Sequence, residues 1–193
     1  NEDYFEGKPK INTILYKFLP DPTTSFLMLK QNLLDLGGLT PLQLDRQIDE
    51  KFKEDYKIIE QPSFAYTYLG FNLRNEKFKD RRVREALHLA IDRQELVDIL
   101  FFGHAKVCTG PFLPGSFAFN EKILPPKPNL KRAKELLLEA GYTATHPLTF
   151  EVVTNTGNDI RINAAEILQY QLAKIGVQMK IRVMEWQAFL NTV

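Results

Sequence analysis

Cysteine is nearly missing from this sequence. Cys108 stands alone, so neither an intrachain disulfide nor a cluster of thiolate metal ligands can form. Histidine is equally sparse: His88, His104 and His146 are isolated, with no His-x-x-x-His pair to hold zinc. Gly-x-Gly-x-x-Gly and Gly-Lys-Ser phosphate cradles are absent, and Gly115-Ser116 lacks the setting of a nucleophile elbow. Carboxylates are plentiful, but their spacing puts them on helix surfaces and none forms an evident acid–base pair. The sequence therefore offers no catalytic residue, no metal ligand set and no cofactor signature.

Neither sign of charge dominates. Lys and Arg number 25 against 24 Asp and Glu, a formal net charge of +1, which provides no broad field for nucleic acid or an anionic membrane. Apolar runs stay short of the roughly 18 to 20 residues that span a bilayer, and the one near Phe101 breaks at Gly103-His104. The first residue is Asn1, with no basic or apolar leader behind it, and 185–190 reads as a helix just starting before Val193. The expectation is an excised fragment whose targeting segment was removed or never included.

What is present suits a globular α/β domain: 193 residues, 44% hydrophobic and 25% charged, without repeats or low-complexity tracts. Ile14, Tyr16 and Phe18 alternate within 11–18, the period of a strand. Asp21-Pro22 and Thr40-Pro41 each place an N-cap before a proline and open two helices, the second charged along Asp45, Asp49, Glu50, Glu54 and Asp55. Between them, 34–39 is a short strand or turn. Residues 56–73 read as two extended stretches, the second alternating Phe64, Tyr66 and Tyr68 against Ala65, Thr67 and Leu69. A helix from Asp80 carries Val83, Ala86, Leu87, Ala90 and Ile91 inward, and Asp92 with Glu95 resembles a capping box for the next, which Gly103 ends. Residues 104–128, with five of the eleven prolines, form a long irregular connection.

The final third is the most regular. Asn129 caps a helix that Gly141 stops; Leu148, Phe150 and Val152 alternate as a strand; 160–175 is a helix closed by Gly176; Met179, Ile181 and Val183 form another strand. Strand, helix, strand is a βαβ unit, which requires parallel neighbours. Ligands of such sheets gather beyond the strand C-termini. There lies Thr154-Asn155-Thr156-Gly157-Asn158, rich in amide and hydroxyl groups, with a glycine that permits close approach. A turn with an N-cap from Asn158 or Asp159 explains the same residues without a ligand. Trp186 follows the last strand at the same edge and faces either core or cleft. Tyr66, Tyr68 and Asn72 share one strand face that either a partner surface or a ligand covers. The basic cluster Lys77, Lys79, Arg81, Arg82 and Arg84 reads as a solvated helix end.

Tyr68-Leu-Gly-Phe-Asn72, Phe78-Lys-Asp-Arg-Arg-Val-Arg-Glu-Ala-Leu87 and Ala90-Ile-Asp-Arg93 together resemble the family 5 extracellular solute-binding proteins, the peptide and oligopeptide-binding components of bacterial ABC importers. Residues 1–11, 131–142 and 172–186 extend the likeness over essentially the whole chain. The resemblance implies a periplasmic-binding-protein-like (type II) lobe with a mixed sheet flanked by helices. It implies that 1–193 is most of one lobe of a two-lobed protein, the other lobe and a C-terminal return segment lying elsewhere. Implied partners are a peptide ligand and the permease subunits of the importer, with no nucleic acid, a monomeric state, no cofactor, and a periplasmic or lipid-anchored cell-surface location. The loop around Asn155 matches one ligand-facing segment of the family, and Trp186 with Leu190 another. Members specialised for dipeptides carry a carboxylate-clamping arginine in that loop; Thr-Asn-Thr-Gly-Asn departs from this and favours oligopeptides. Within the same fold, a dipeptide, nickel chelate, haem or sugar is the alternative ligand. An enzyme completed by further segments and an interaction module are the alternatives from other classes.

Overall fold

The computed structural model describes residues 4–61, 63 and 65–193. The chain divides into two compact units, Asn1–Lys57 and Ile58–Val193.

In the first unit, short polar caps start every helix. Asp21 accepts from the N–H groups of Thr23 and Thr24 and from the Thr24 hydroxyl, and so opens α1 (Pro22–Lys30). Those bonds, the Thr24 hydroxyl first, hold its carboxyl below the usual range. Thr40 and Gln43 form a full capping box at α2 (Pro41–Arg46), and the buried Gln43 also donates to Pro22 O at 3.2 Å, tying α2 to α1. Asp49 caps a separate α3 (Glu50–Asp55). The single charged helix expected from Thr40 is thus two, because Asp49 accepts from Phe52 N–H at 2.8 Å and restarts the helix. Phe26, Leu29 and Phe52 are the buried apolar residues described here, with Phe52 stacked on Tyr56 at 4.9 Å.

The expected strand at 11–18 does not form. Its backbone pairs with no strand among the described residues, and Ile14, Leu15, Tyr16 and Phe18 are all exposed; alternation marks a strand only where a second strand takes up its N–H and C=O groups. Residues 34–39 are a bend rather than a strand.

The second unit has the larger core. α4 (Glu76–Lys79) leads into α5 (Arg81–Ala90), whose Val83, Ala86, Leu87 and Ala90 are buried. α6 (Arg93–Phe101) starts at Asp92, which accepts from Gln94 and Glu95 N–H. The box is only half formed, since the Glu95 carboxylate accepts instead from Gln171 Nε2 at 2.6 Å. Phe102 and Gly103 end α6 with left-handed φ of 51° and 84°. α7 (Leu130–Glu139), capped by Asn129, packs on α5.

β1 (Thr149–Asn155), α8 (Asp159–Ala173) and β2 (Gln178–Met184) are the expected βαβ unit, the strands parallel from Thr149 opposite Gln178 to Asn155 opposite Met184. α9 (Trp186–Leu190) follows. Leu148, Phe150, Leu172, Ile175, Val177 and Met179 join the α5 and α7 side chains in one core, to which α8 also contributes the buried Ala165. The two extended stretches expected at 56–73 enter no sheet among the described residues, and Phe64 lies outside those residues. Leu69 and Phe71 nevertheless pack on the core.

The basic cluster is exposed except for the half-buried Arg84, as a solvated helix end should be, and several of its cations also hold backbone carbonyls. Lys77 Nζ donates to Thr149 O at 2.6 Å, Arg84 Nη1 to Phe78 O and Lys79 O, and Arg82 pairs with Asp80 while donating to Glu139 O at 2.6 Å. Arg82 and Arg84 thereby close carbonyls at the ends of α7 and α4, while Lys77 ties α4 to the first residue of β1. The hydrogen bonds from Arg82 hold the Asp80 carboxyl below its ordinary value.

Candidate functional site

β1 and β2 end side by side, and Thr156 N–H adds one more bond to the ladder by donating to Met184 O at 2.7 Å. Both strands then leave at the same C-terminal edge, β1 through 156–158 into α8 and β2 through Glu185 into α9.

The loop is held largely by its own side chains. Asn158 Oδ1 accepts from Arg161 N–H at 3.0 Å and caps α8, which is the structural alternative weighed for this residue. Asn155 is only 8% exposed. Its Nδ2 donates to Thr156 O at 2.8 Å and its Oδ1 accepts from Arg161 Nη1 at 2.8 Å. Thr154 is buried as well. Gly157 takes φ +75°, a conformation that strains any L side chain. Thr156 and Gly157 are exposed, and among the described residues the N–H groups of Gly157 and Asn158 make no hydrogen bond. The groups free to meet a ligand are therefore main-chain donors, the Thr156 hydroxyl and the Asn158 Nδ2 amide, rather than the Asn155 carboxamide.

Trp186 is the first residue of α9 and lies 47% exposed, stacked on Phe189 at 5.7 Å with 24° between the rings, so it is not a core tryptophan of this unit. Leu190, one turn on, is exposed too. Glu185 Oε2 caps the helix through Gln187 N–H at 2.7 Å. The βαβ crossover thus brings Thr154, Asn155, Thr156, Gly157, Asn158, Trp186 and Leu190 to one edge of the sheet.

Tyr66 and Tyr68 are exposed and touch, with ring centroids 5.6 Å apart, but no strand forms over 65–73 to give them and Asn72 the common face expected. Asn72 Oδ1 accepts from Arg74 N–H at 3.0 Å in the turn before α4. No hydrogen bond or ring contact among the described residues joins these three to the loop. A separate cavity of about 270 Å³ in the irregular segment is lined by Pro111, Phe112, Leu113, Ser116, Phe117 and Ala118, none of them a site residue.

Arg161 and Phe189 escaped the sequence reading. The signal for Arg161 was its place three residues past the cap, from where a helical side chain leans back toward the N-terminus and the loop.

The sequence matches, over residues 1–193, the family described as bacterial extracellular solute-binding proteins, family 5 Middle. It is 35% identical over 203 residues to the oligopeptide-binding protein AppA of Bacillus subtilis, a match covering 99% of this chain and 37% of AppA. The solved structure of AppA in complex with a nonapeptide is similar with a TM-score of 0.78 at 31% identity, covering 99% of this chain and 40% of that one. The nickel-binding protein NikA of Staphylococcus aureus is 31% identical over 181 residues, 94% of this chain and 36% of NikA. The periplasmic binding protein DppA of Helicobacter pylori, solved with the peptide STSA, gives a TM-score of 0.77 at 28% identity over 98% of this chain and 36% of DppA. The chain spans somewhat over a third of the length of these curated relatives.

Proposed function

Because the chain belongs to the bacterial extracellular solute-binding proteins of family 5, with the α/β fold of a type II periplasmic binding protein lobe, we propose that the protein containing it captures oligopeptides for an ABC-type importer. Capture takes place in the periplasm or at the cell surface, by a protein that is a lipoprotein or free and works as a monomer. It involves no chemical step on the ligand. Residues 1–193 supply most of one of two lobes, and the ligand lies against the C-terminal edge of β1 and β2.

The observation that carries this reading is the character of that edge. Gly157 and Asn158 present unpaired main-chain N–H groups, and Trp186 offers a half-exposed indole face beside them. Main-chain donors meet the carbonyls that every peptide shares, while an aromatic face accepts varied side chains, which suits a receptor that tolerates sequence. Tyr66, Tyr68 and Asn72 form a second ligand-facing patch in this reading. The relatives solved with a nonapeptide and with the peptide STSA support a peptide ligand.

Capture of a nickel chelate is the second reading, favoured by the nickel-binding relative at 31% identity. Calorimetry of the complete protein against a peptide panel and against nickel with free histidine separates the two. Binding of peptides of several sequences supports the first; binding of the chelate alone overturns it.

A further inference from the structure

We propose that Arg161 is the positioning residue of this edge: by fixing the Asn155 carboxamide it aims the Gly157 N–H outward, without touching the ligand itself. The inference rests on the peptide-capture reading of the loop.

The geometry begins with two anchors. Arg161 sits in the first turn of α8, and its main-chain N–H is held by Asn158 Oδ1 at 3.0 Å while its guanidinium reaches Asn155 Oδ1 at 2.8 Å. One residue therefore grips both ends of the arch Thr156-Gly157-Asn158. A carboxamide can sit either way round, with oxygen and nitrogen exchanged. Arg161 has only donors to offer, so the end of Asn155 that faces it must be oxygen. The opposite end is then nitrogen, and it donates to Thr156 O at 2.8 Å.

Fixing that carbonyl fixes a peptide plane. Thr156 C=O and Gly157 N–H belong to one trans planar unit and point in opposite directions. With the carbonyl drawn in to the buried Asn155, the Gly157 N–H is turned away from it, where no partner among the described residues meets it. Its positive φ of 75° lets the chain follow without strain. Without the guanidinium only the bond to Thr156 O holds the carboxamide, which is then free to turn about its side-chain torsions and to carry the Thr156–Gly157 plane with it. Arg161 thereby determines whether a sequence-independent donor is offered to the peptide main chain.

The test uses the complete protein with Arg161→Met, which keeps length and loses every donor, and Arg161→Lys, which keeps one. A crystal structure of each variant reads the Thr156–Gly157 peptide plane directly. Affinities for three peptides of unrelated sequence, each free and C-terminally amidated, read its consequence well below the melting temperature. The expected result for Arg161→Met is a Thr156–Gly157 plane that has turned or lost its single orientation, and a loss of roughly tenfold in affinity, the size of one lost hydrogen bond, for all six ligands alike. Arg161→Lys recovers most of it, and Asn155→Ala with Arg161→Met is no weaker than Asn155→Ala alone. An unmoved plane in Arg161→Met would overturn the proposal, as would a lower melting temperature with affinity intact, the mark of a purely structural role. Loss confined to peptides with a free carboxylate would overturn it too, by making Arg161 a direct ligand contact. If the wild-type protein binds no peptide, the capture reading fails, and the plane in the variant structure still decides whether Arg161 orders the loop.

Discussion

Gln171 holds Asp92 by both main-chain groups: Oε1 accepts from Asp92 N–H at 3.0 Å, and Nε2 donates to Asp92 O at 3.2 Å. The same Nε2 donates to Glu95 Oε2 at 2.6 Å, and Gln171 is only 2% exposed. A side chain of α8 thus stands where α5 hands over to α6. Replacing it with Met leaves partly buried polar groups without partners, so Gln171→Met is expected to cost about 2–4 kcal/mol. Gln171→Glu keeps the size but sets a carboxylate against Glu95. Its stability should rise as pH falls and one carboxyl takes up a proton, the donor being restored. Denaturant melts at several pH values check both.

A second pH effect belongs to His88. Its Nδ1 accepts from Arg93 Nη2 at 2.7 Å, so the neutral ring carries its proton on Nε2. Partial burial, followed by the charge of Arg93, pushes its pKa below the ordinary 6.5, against a smaller opposing pull from Glu85. The unfolded chain therefore binds this proton more readily than the folded one. The contribution to stability is whole above pH 6.5 and is lost as pH falls from there through the folded pKa. Arg93→Gln should reduce that pH dependence, and His88→Gln should remove it, as measured by melting temperature across the acidic range.

Much of the architecture follows from local rules that need no tertiary context. Asp21-Pro22, Thr40-Pro41, Asn129 and Gly141 punctuate helices because they satisfy or release particular backbone groups, and the βαβ unit follows from two alternating segments around an amphipathic one. What was illegible depends on partners remote in sequence. Ile14, Tyr16 and Phe18 alternate as a strand does, but alternation says nothing about whether a neighbouring strand is at hand. Lys77 and Arg82 are exposed as charges at a helix end should be, but their bonds to Thr149 O and Glu139 O depend on residues 72 and 57 positions away. At the loop, residue types suggested free side-chain amides, whereas the Asn155 carboxamide and the Asn158 oxygen make their bonds within the loop and α8.

The two units should differ sharply in self-sufficiency. Within Asn1–Lys57 the described buried apolar residues are Phe26, Leu29 and Phe52, while Phe5, Ile11, Ile14, Leu15, Tyr16 and Phe18 are exposed. A chain of this length is marginal even with a complete core. Residues 1–57 made alone should melt without a cooperative transition, whereas 58–193 should give one by circular dichroism. A sharp transition in the short piece would contradict this.

Core and edge should also separate by mutation. Leu172 is fully buried, so Leu172→Ala is expected to cost about 2–5 kcal/mol of stability while leaving ligand affinity nearly unchanged at low temperature. Trp186→Ala should do the reverse, since the indole is half-exposed and packs mainly on Phe189. Loss of its aromatic face should weaken peptide binding by about 1–3 kcal/mol with little change in melting temperature. Calorimetric titration and thermal melts of both variants in the complete protein distinguish the two effects.

Hydrogen exchange of the complete protein, recorded with and without a bound oligopeptide, tests most directly whether the strand ends form the ligand surface. Slowed exchange at Gly157 and Asn158, together with a protected Trp186 indole N–H, is the predicted result. Protection that appears elsewhere and leaves these three groups as fast as in the free protein would contradict it.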